Sequence, residues 1–199
     1  MKRSAVCFLL ISMAAIVSSC SRFTYGQIQT GTFEGKLTIR WVEQDRFVYI
    51  PDSLNPLSFT TPTRPPVVPG IMYTDGGSIP RLFWGVTGYS PWGYAPAYII
   101  HDWLFLAHHC AFPDYQNIEF EDSARILAEG IKTIMEAGIA PKDETTLWAI
   151  YEAVKSRIAE SIWNNPNACN QIPDTADFKS LSPPGVFFME IDMQRIPRR

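Results

Sequence analysis

Two short segments of the chain combine residue types that could carry out chemistry. The first contains Asp75 and Ser78 in the run Thr74-Asp75-Gly76-Gly77-Ser78-Ile79-Pro80-Arg81. Adjacent glycines indicate a backbone with special dihedral needs, so the segment predicts a rigid turn. Such a turn either presents the Asp75 carboxylate and the Ser78 hydroxyl to a cleft, or it uses Asp75 to accept hydrogen bonds from its own amides.

The second segment holds an adjacent acid and base in the run Ile99-Ile100-His101-Asp102-Trp103-Leu104-Phe105. Burying such a pair within an apolar helix is unfavourable unless each side chain has a partner. Buried titratable groups are common at functional sites, although structural networks produce them as well. The pair therefore indicates either a functional site or a hydrogen-bonded cluster that locks the helix to the Asp75 turn.

A divalent metal would give these residues one chemistry, the metal-assisted hydrolysis of envelope material. The nitrogen and oxygen ligands would be His101, Asp102, Asp75 and Asp122, with Glu121 as a rival to Asp122. A bound ion lowers the pKa of its water and so creates a nucleophile. A metal-free version has Ser78 as nucleophile, His101 as base and an aspartate as orienting group. The pattern G-x-S-x-G is absent around Ser78, which favours the metal version.

A non-enzymatic function is the competing interpretation. The same polar side chains would then form a buried structural cluster. Four aromatic residues lie in one glycine- and proline-bearing loop: Trp84, Tyr89, Trp92 and Tyr94. A loop of this composition suits the binding of a protein partner or a glycan, although the same residues also suit a core.

These motifs resemble a protein family of phages, prophages and bacteria, the domain of unknown function 1353. The run from Tyr73 to Arg81 is similar to its T-D-x-x-S-x-P-R segment, and Ala97 to Phe105 is similar to its A-x-x-x-H-D-x-L-[YF] run. Asp122 and the run Tyr151-Glu152-Ala153-Val154 look like later family positions. The resemblance covers residues 67–154 and implies a shared site, but no established activity comes with it.

The start of the chain indicates export. Lys2 and Arg3 precede an apolar stretch from Ala5 to Val17, which is the pattern of a secretory signal. This stretch is too short to span a bilayer, because a spanning helix needs about 20 residues. We therefore expect residues 1–19 to be a signal peptide and residues 20–199 to form one domain.

The end of this signal resembles the lipobox of bacterial lipoproteins, in which a cysteine is acylated and becomes the first mature residue. The matching run is Val17-Ser18-Ser19-Cys20. In lipoproteins of Gram-negative bacteria, a serine at the position of Ser21 implies the periplasmic face of the outer membrane. The alternative is ordinary secretion, with cleavage near Ser19 or Gly26.

Composition excludes one class of partner. Removal of the signal leaves 15 basic against 20 acidic residues, a formal charge of −5, with no basic block. Nucleic-acid binding is therefore not expected, since it requires a cationic patch. Cys110 and Cys169 remain as an even pair, so they predict either a disulfide in an oxidising compartment or two buried thiols.

The elements that must position these residues indicate an α+β fold, with a small N-terminal antiparallel sheet packed on about three helices. Alternating apolar residues predict a hairpin over residues 31–51, and six prolines between Pro51 and Pro69 predict an extended loop. Further strands are predicted over 67–73 and 186–193. Helices are predicted over 94–109, 119–137 and 141–162.

Overall fold

A computed structural model of the protein describes residues 20–22, 24–43, 46–75, 92–165, 169, 172–173 and 187–193. The strands are β1 (Thr32–Glu34), β2 (Lys36–Glu43), β3 (Arg46–Tyr49), β4 (Ser58–Thr61), β5 (Arg64–Val67), β6 (Met72–Thr74) and β7 (Phe187–Asp192). The helices are α1 (Ala95–His109), α2 (Phe120–Glu136), α3 (Glu144–Val154) and α4 (Arg157–Trp163), with a 3-10 turn at Pro113–Tyr115. The predicted α+β class is confirmed. Residues 1–19 lie outside the described residues.

The strands form two antiparallel sheets rather than the one predicted. The first has the order β1-β4-β5, and the second has the order β6-β3-β2-β7. The predicted hairpin of β2 and β3 is present, with Ile39 opposite Tyr49, although its turn at Gln44-Asp45 lies outside the described residues. The predicted C-terminal strand, β7, pairs with β2.

The proline-rich segment is not the extended loop that the sequence predicts, because it contains the hairpin of β4 and β5. Its prolines do exclude a helix. Pro65 and Pro66 lie in β5, which is at the edge of its sheet. An edge strand tolerates proline because its outward backbone groups need no partner strand. Phe59 of β4 is buried and packs on Phe33 of β1, with ring centroids 4.4 Å apart.

Helix α1 is the centre of the core. Every residue from Ala95 to Ala107 is buried, as its apolar residues on nearly all sides predict. It packs closely against α2 at Gly130, where an added Cβ would lie 2.9 Å from the Cβ of Ala97. A larger residue than glycine at this crossing would force the two helices apart.

Helix α2 follows the sequence prediction closely. All members of its predicted apolar stripe are buried: Phe120, Ala124, Leu127, Ala128, Ile131 and Met135. The helix ends before Gly138, which has a φ of 71°. A left-handed residue of this kind commonly terminates a helix.

The third predicted helix, 141–162, is wrong as a continuous element because the structure divides it into α3 and α4. Asp143 caps α3 by accepting a hydrogen bond from the Thr146 amide at 2.9 Å, so Pro141 lies before the helix. Ser156 caps α4 in the same way. The spacing of Ile158 and Ile162 after Ile150 and Val154 predicts that all four lie on the buried face of one helix. In the divided segment Ile158 and Ile162 are instead 75% and 52% exposed.

In the part of the chain that the structure describes, no helix combines the length and the apolar character needed to cross a bilayer.

Candidate functional site

His101 is held inside the protein between α1 and α2. Its side chain has no exposed area, and its Nδ1 lies 3.2 Å from the backbone carbonyl oxygen of Ser123. The ring also packs against Phe105 at 4.9 Å between centroids. A carbonyl oxygen only accepts hydrogen bonds, so Nδ1 carries the proton and Nε2 carries the lone pair.

The Nε2 atom of His101 is buried and has no hydrogen-bond partner among the described residues. Burial lowers the pKa of His101 to about 4, since a charged ring would lose its hydration, and the bond to Ser123 only partly offsets this effect. The ring is therefore neutral near pH 7. A buried nitrogen that accepts no bond is unusual enough to require a cause.

Asp102 is directed to a different element. Its Oδ2 accepts a hydrogen bond of 2.7 Å from the hydroxyl of Thr74, the last residue of β6. Adjacent residues of a helix point about 100° apart, so His101 contacts α2 while Asp102 contacts the second sheet. The pair therefore joins α1 to both of its neighbours.

The turn after β6 is described only in part. Asp75 is exposed, so its carboxylate is not buried with the His-Asp pair. Ser78 lies outside the described residues. The sequence predicts that the turn contacts α1 through Asp75. Among the described residues, the contact is the hydrogen bond from Thr74, the residue before Asp75, to Asp102 of α1.

Asp122 takes part in an ion-pair network that sequence reasoning did not find. Arg64 donates to Asp122 Oδ1 at 2.6 Å and to Glu129 Oε2 at 3.4 Å. Glu129 is 2% exposed, and burial raises its pKa, although Arg64 and Arg125 oppose this effect. Arg64 was missed because it lay in a predicted loop, far from α2 in the sequence.

The structure does not assemble the metal ligands predicted from the sequence. Among the residues that it describes, no three side chains of His, Cys, Asp or Glu are grouped to hold one ion. Asp122 is engaged by Arg64, Asp102 is bonded to Thr74, and Glu121 is exposed. The metal site predicted from His101, Asp102, Asp75 and Asp122 therefore stays a prediction, without a grouping of three such side chains among the described residues to support it.

The C-terminal end of α1 is fixed to α4 and to the tail. His109 Nε2 lies 3.0 Å from the carbonyl oxygens of both Ile162 and Trp163, and the ring of His108 stacks on Trp163 at 4.0 Å. Cys110 and Cys169 form a disulfide. These contacts give the two histidines a structural role at the helix end.

The aromatic loop is described at its C-terminal end, and there it packs inward. Trp92 is half-buried and contacts Phe47 at 4.7 Å between ring centroids. Tyr94 is 4% exposed and contacts Tyr98. Trp84 and Tyr89 lie outside the described residues. The described pair therefore belongs to the protein interior rather than to a binding surface.

The first residues that the structure describes are docked on the helices. Cys20 is exposed and its thiol is free, whereas Ser21 is 2% exposed. The Tyr25 hydroxyl donates to Glu136 at 2.7 Å. Lys132 donates to the backbone carbonyl oxygens of Tyr25 and Ile28 at 2.8 and 2.7 Å. The predicted lipidation residue thus lies at the edge of the folded domain.

Fold and site together define an α+β domain whose central helix carries a buried His-Asp pair. The chain matches the model of the family described as Protein of unknown function (DUF1353) over residues 54–153, which is half of its 199 residues. It therefore belongs to this family. The matched region contains Arg64, Thr74, the His-Asp pair and Asp122. No curated protein and no solved structure matches the chain.

Proposed function

We propose that the protein is a lipid-anchored protein of the bacterial envelope, attached through the thiol of Cys20. The observation that supports this most directly is the position of Cys20. It ends a signal-like segment in a lipobox-like run, and its free thiol is exposed beside a docked chain. Acyl chains on this thiol can enter a bilayer without disturbing the packing of the domain, and several chains make such anchoring stable.

Cell fractionation tests this proposal. The complete chain is compared with a version in which an ordinary secretory signal replaces residues 1–19 and Cys20→Ser removes the thiol. We expect the first in the outer-membrane fraction, soluble only in detergent, and the second in the soluble periplasmic fraction. Equal distribution of the two would contradict the lipid anchor.

For the polar site we propose a non-catalytic role, as the junction of α1 with α2 and the second sheet. Complete burial of His101 supports this, because a side chain without exposed area cannot meet a substrate in this arrangement. Asp102, bonded to Thr74, supports it as well. The protein then serves the envelope as a binding module for a protein or a glycan. In the aromatic loop this role depends on Trp84 and Tyr89, because Trp92 and Tyr94 pack inward.

A second function, hydrolysis with Ser78 as nucleophile and His101 as base, is favoured by one specific observation. Among the described residues, the lone pair of His101 Nε2 has no hydrogen-bond partner, and the Nδ1 bond to Ser123 fixes the tautomer that a general base needs. Ser78 follows Thr74 by four residues in the chain. The metal version has less support, because the described residues do not supply its ligand set.

A fluorophosphonate probe separates the two roles without a known substrate, since it labels only activated serines. The hydrolase predicts labelling that is lost in Ser78→Ala and in a folded His101→Asn. The structural role predicts no labelling of the wild type. It also predicts that His101→Asn lowers the free energy of unfolding.

A further inference from the structure

We infer that the protein rests on the phospholipid bilayer with the end of the domain that contains the loop between α2 and α3. This inference depends on the lipid anchor proposed above. The membrane-facing surface consists of Cys20, Arg22, Ile139 and Lys142. A protein tethered by a long flexible segment could present any side to the membrane, so the inference depends on how the first residues are attached.

The described residues that follow Cys20 are held against the domain. Ser21 is 2% exposed, and the Tyr25 hydroxyl is bonded to Glu136 at 2.7 Å. Lys132 holds the carbonyl oxygens of Tyr25 and Ile28. An acyl group on Cys20 is therefore joined directly to a rigid surface, and the bilayer must lie against that surface.

The contacts of the docked segment identify which end of the domain this is. Arg22 Nε lies 4.0 Å from Oε2 of Glu144, the first residue of α3. Lys142 Nζ lies 3.2 Å from Oε1 of Glu136, the last residue of α2. Two peptide steps of about 3.8 Å separate Cys20 from Arg22, so the acylated thiol is close to the α2–α3 loop.

The side chains at this end suit the membrane interface. Ile139 in the loop is 46% exposed, and the side chains of Lys142 and Arg22 are 51% and 78% exposed. An exposed apolar tip can enter the hydrocarbon at its boundary with the phosphate groups. Arg22 and Lys142 are paired with Glu144 at 4.0 Å and with Glu136 at 3.2 Å, so they meet lipid phosphates by exchanging partners in these weak, exposed ion pairs.

This orientation sets the position of the His-Asp pair. His101 contacts Ser123 near the start of α2, and from Ser123 to Glu136 the helix rises about 20 Å, at 1.5 Å per residue. The pair is therefore held well away from the lipid headgroups.

Site-specific fluorescence in vesicles tests the orientation. Lipidated Ile139→Cys protein is labelled with an environment-sensitive fluorophore and placed in phosphatidylethanolamine–phosphatidylglycerol vesicles that contain acyl-brominated lipids as quenchers. Ile162→Cys is the matched control, since Ile162 has a similar exposure of 52%. It precedes Trp163, whose ring lies near Phe120 at the opposite end of α2.

We expect the label at position 139 to be quenched several-fold more strongly than the label at position 162. Equal quenching of the two labels in acylated protein would overturn the inference and leave the lipid anchor intact. Stronger quenching at position 162 would reverse the orientation. If the N-terminal peptide of the same preparation carries no acyl mass, the proposed anchor fails, and the inference fails with it.

Discussion

The buried neutral state of His101 makes the stability of the protein depend on pH in a defined way. Its pKa is about 4 in the folded protein and about 6.5 in an unfolded chain. Between these values the unfolded chain binds a proton that the folded protein does not. The free energy of unfolding therefore falls as the pH falls from about 6.5 to about 4. The loss is about 3 kcal/mol, since one unit of pKa difference corresponds to about 1.4 kcal/mol.

Urea unfolding of the wild type and of His101→Asn across this pH interval measures the effect. The asparagine amide can still donate toward the Ser123 carbonyl but does not titrate, so other groups contribute equally to both proteins. We expect the stability difference between them to shrink by about 3 kcal/mol, or to reverse in sign, between about pH 7 and about pH 4.

Phe105→Leu is the matched control, because it alters the ring packed on His101 without removing a titratable group. It should lower stability by a similar amount at every pH. Parallel pH profiles for the wild type and His101→Asn would refute the reasoning, since they would mean that the folded protein protonates His101 as readily as the unfolded chain.

Three further changes test the contacts around the site. Arg64→Met removes the cation that is paired with the buried Glu129 and leaves only the influence of Arg125, so it should cost about 3 kcal/mol in urea unfolding. Adding Glu129→Gln should recover most of this loss, and full stability of the single variant would contradict the network. Cys110→Ser removes the disulfide, which closes a loop with a sequence separation of 59 and stabilises the protein by about 4 kcal/mol through chain entropy. The Tm of this variant should therefore lie below the Tm of the oxidised wild type and match the Tm of the reduced wild type. Gly130→Val places its Cβ 2.9 Å from the Cβ of Ala97 and should lower the free energy of unfolding by about 1–3 kcal/mol through overpacking. An unchanged thermal unfolding curve would contradict this expectation.

Local periodicity made part of the fold predictable. The apolar stripe of α2 and its stop at Gly138 follow from helical spacing and from one left-handed glycine. The division between α3 and α4 could not be predicted in this way, because no proline or glycine marks it. Ser156 caps α4 at a point where the apolar spacing continues. The exposed Ile158 shows that spacing alone does not establish burial.

The hairpin of β4 and β5 was not predicted, because its prolines indicated an extended loop. Proline excludes a helix and the centre of a sheet, but not an edge strand, and only the pairing with β4 shows that β5 is such a strand. For the same reason, no local pattern indicates that Arg64 would reach Asp122, which is 58 residues away in the chain.

The sequence singles out the residues of the candidate site but does not predict how their side chains are directed. The adjacency of His101 and Asp102 suggested a shared centre, yet the helix directs one side chain to Ser123 and the other to Thr74. Asp122 lies opposite the apolar stripe of α2, where a solvated acid is expected, and its side chain is 33% exposed. Its ion pair depends on a tertiary contact that helical spacing does not contain.

The mass of the N-terminal peptide of the mature protein, isolated from bacterial membranes, tests the central claim most directly. A lipid-anchored protein predicts that this peptide begins at Cys20 and carries a diacylglyceryl group on its thiol. A peptide that begins at Cys20 or at Gln27 without acyl mass would contradict the account and would indicate ordinary secretion.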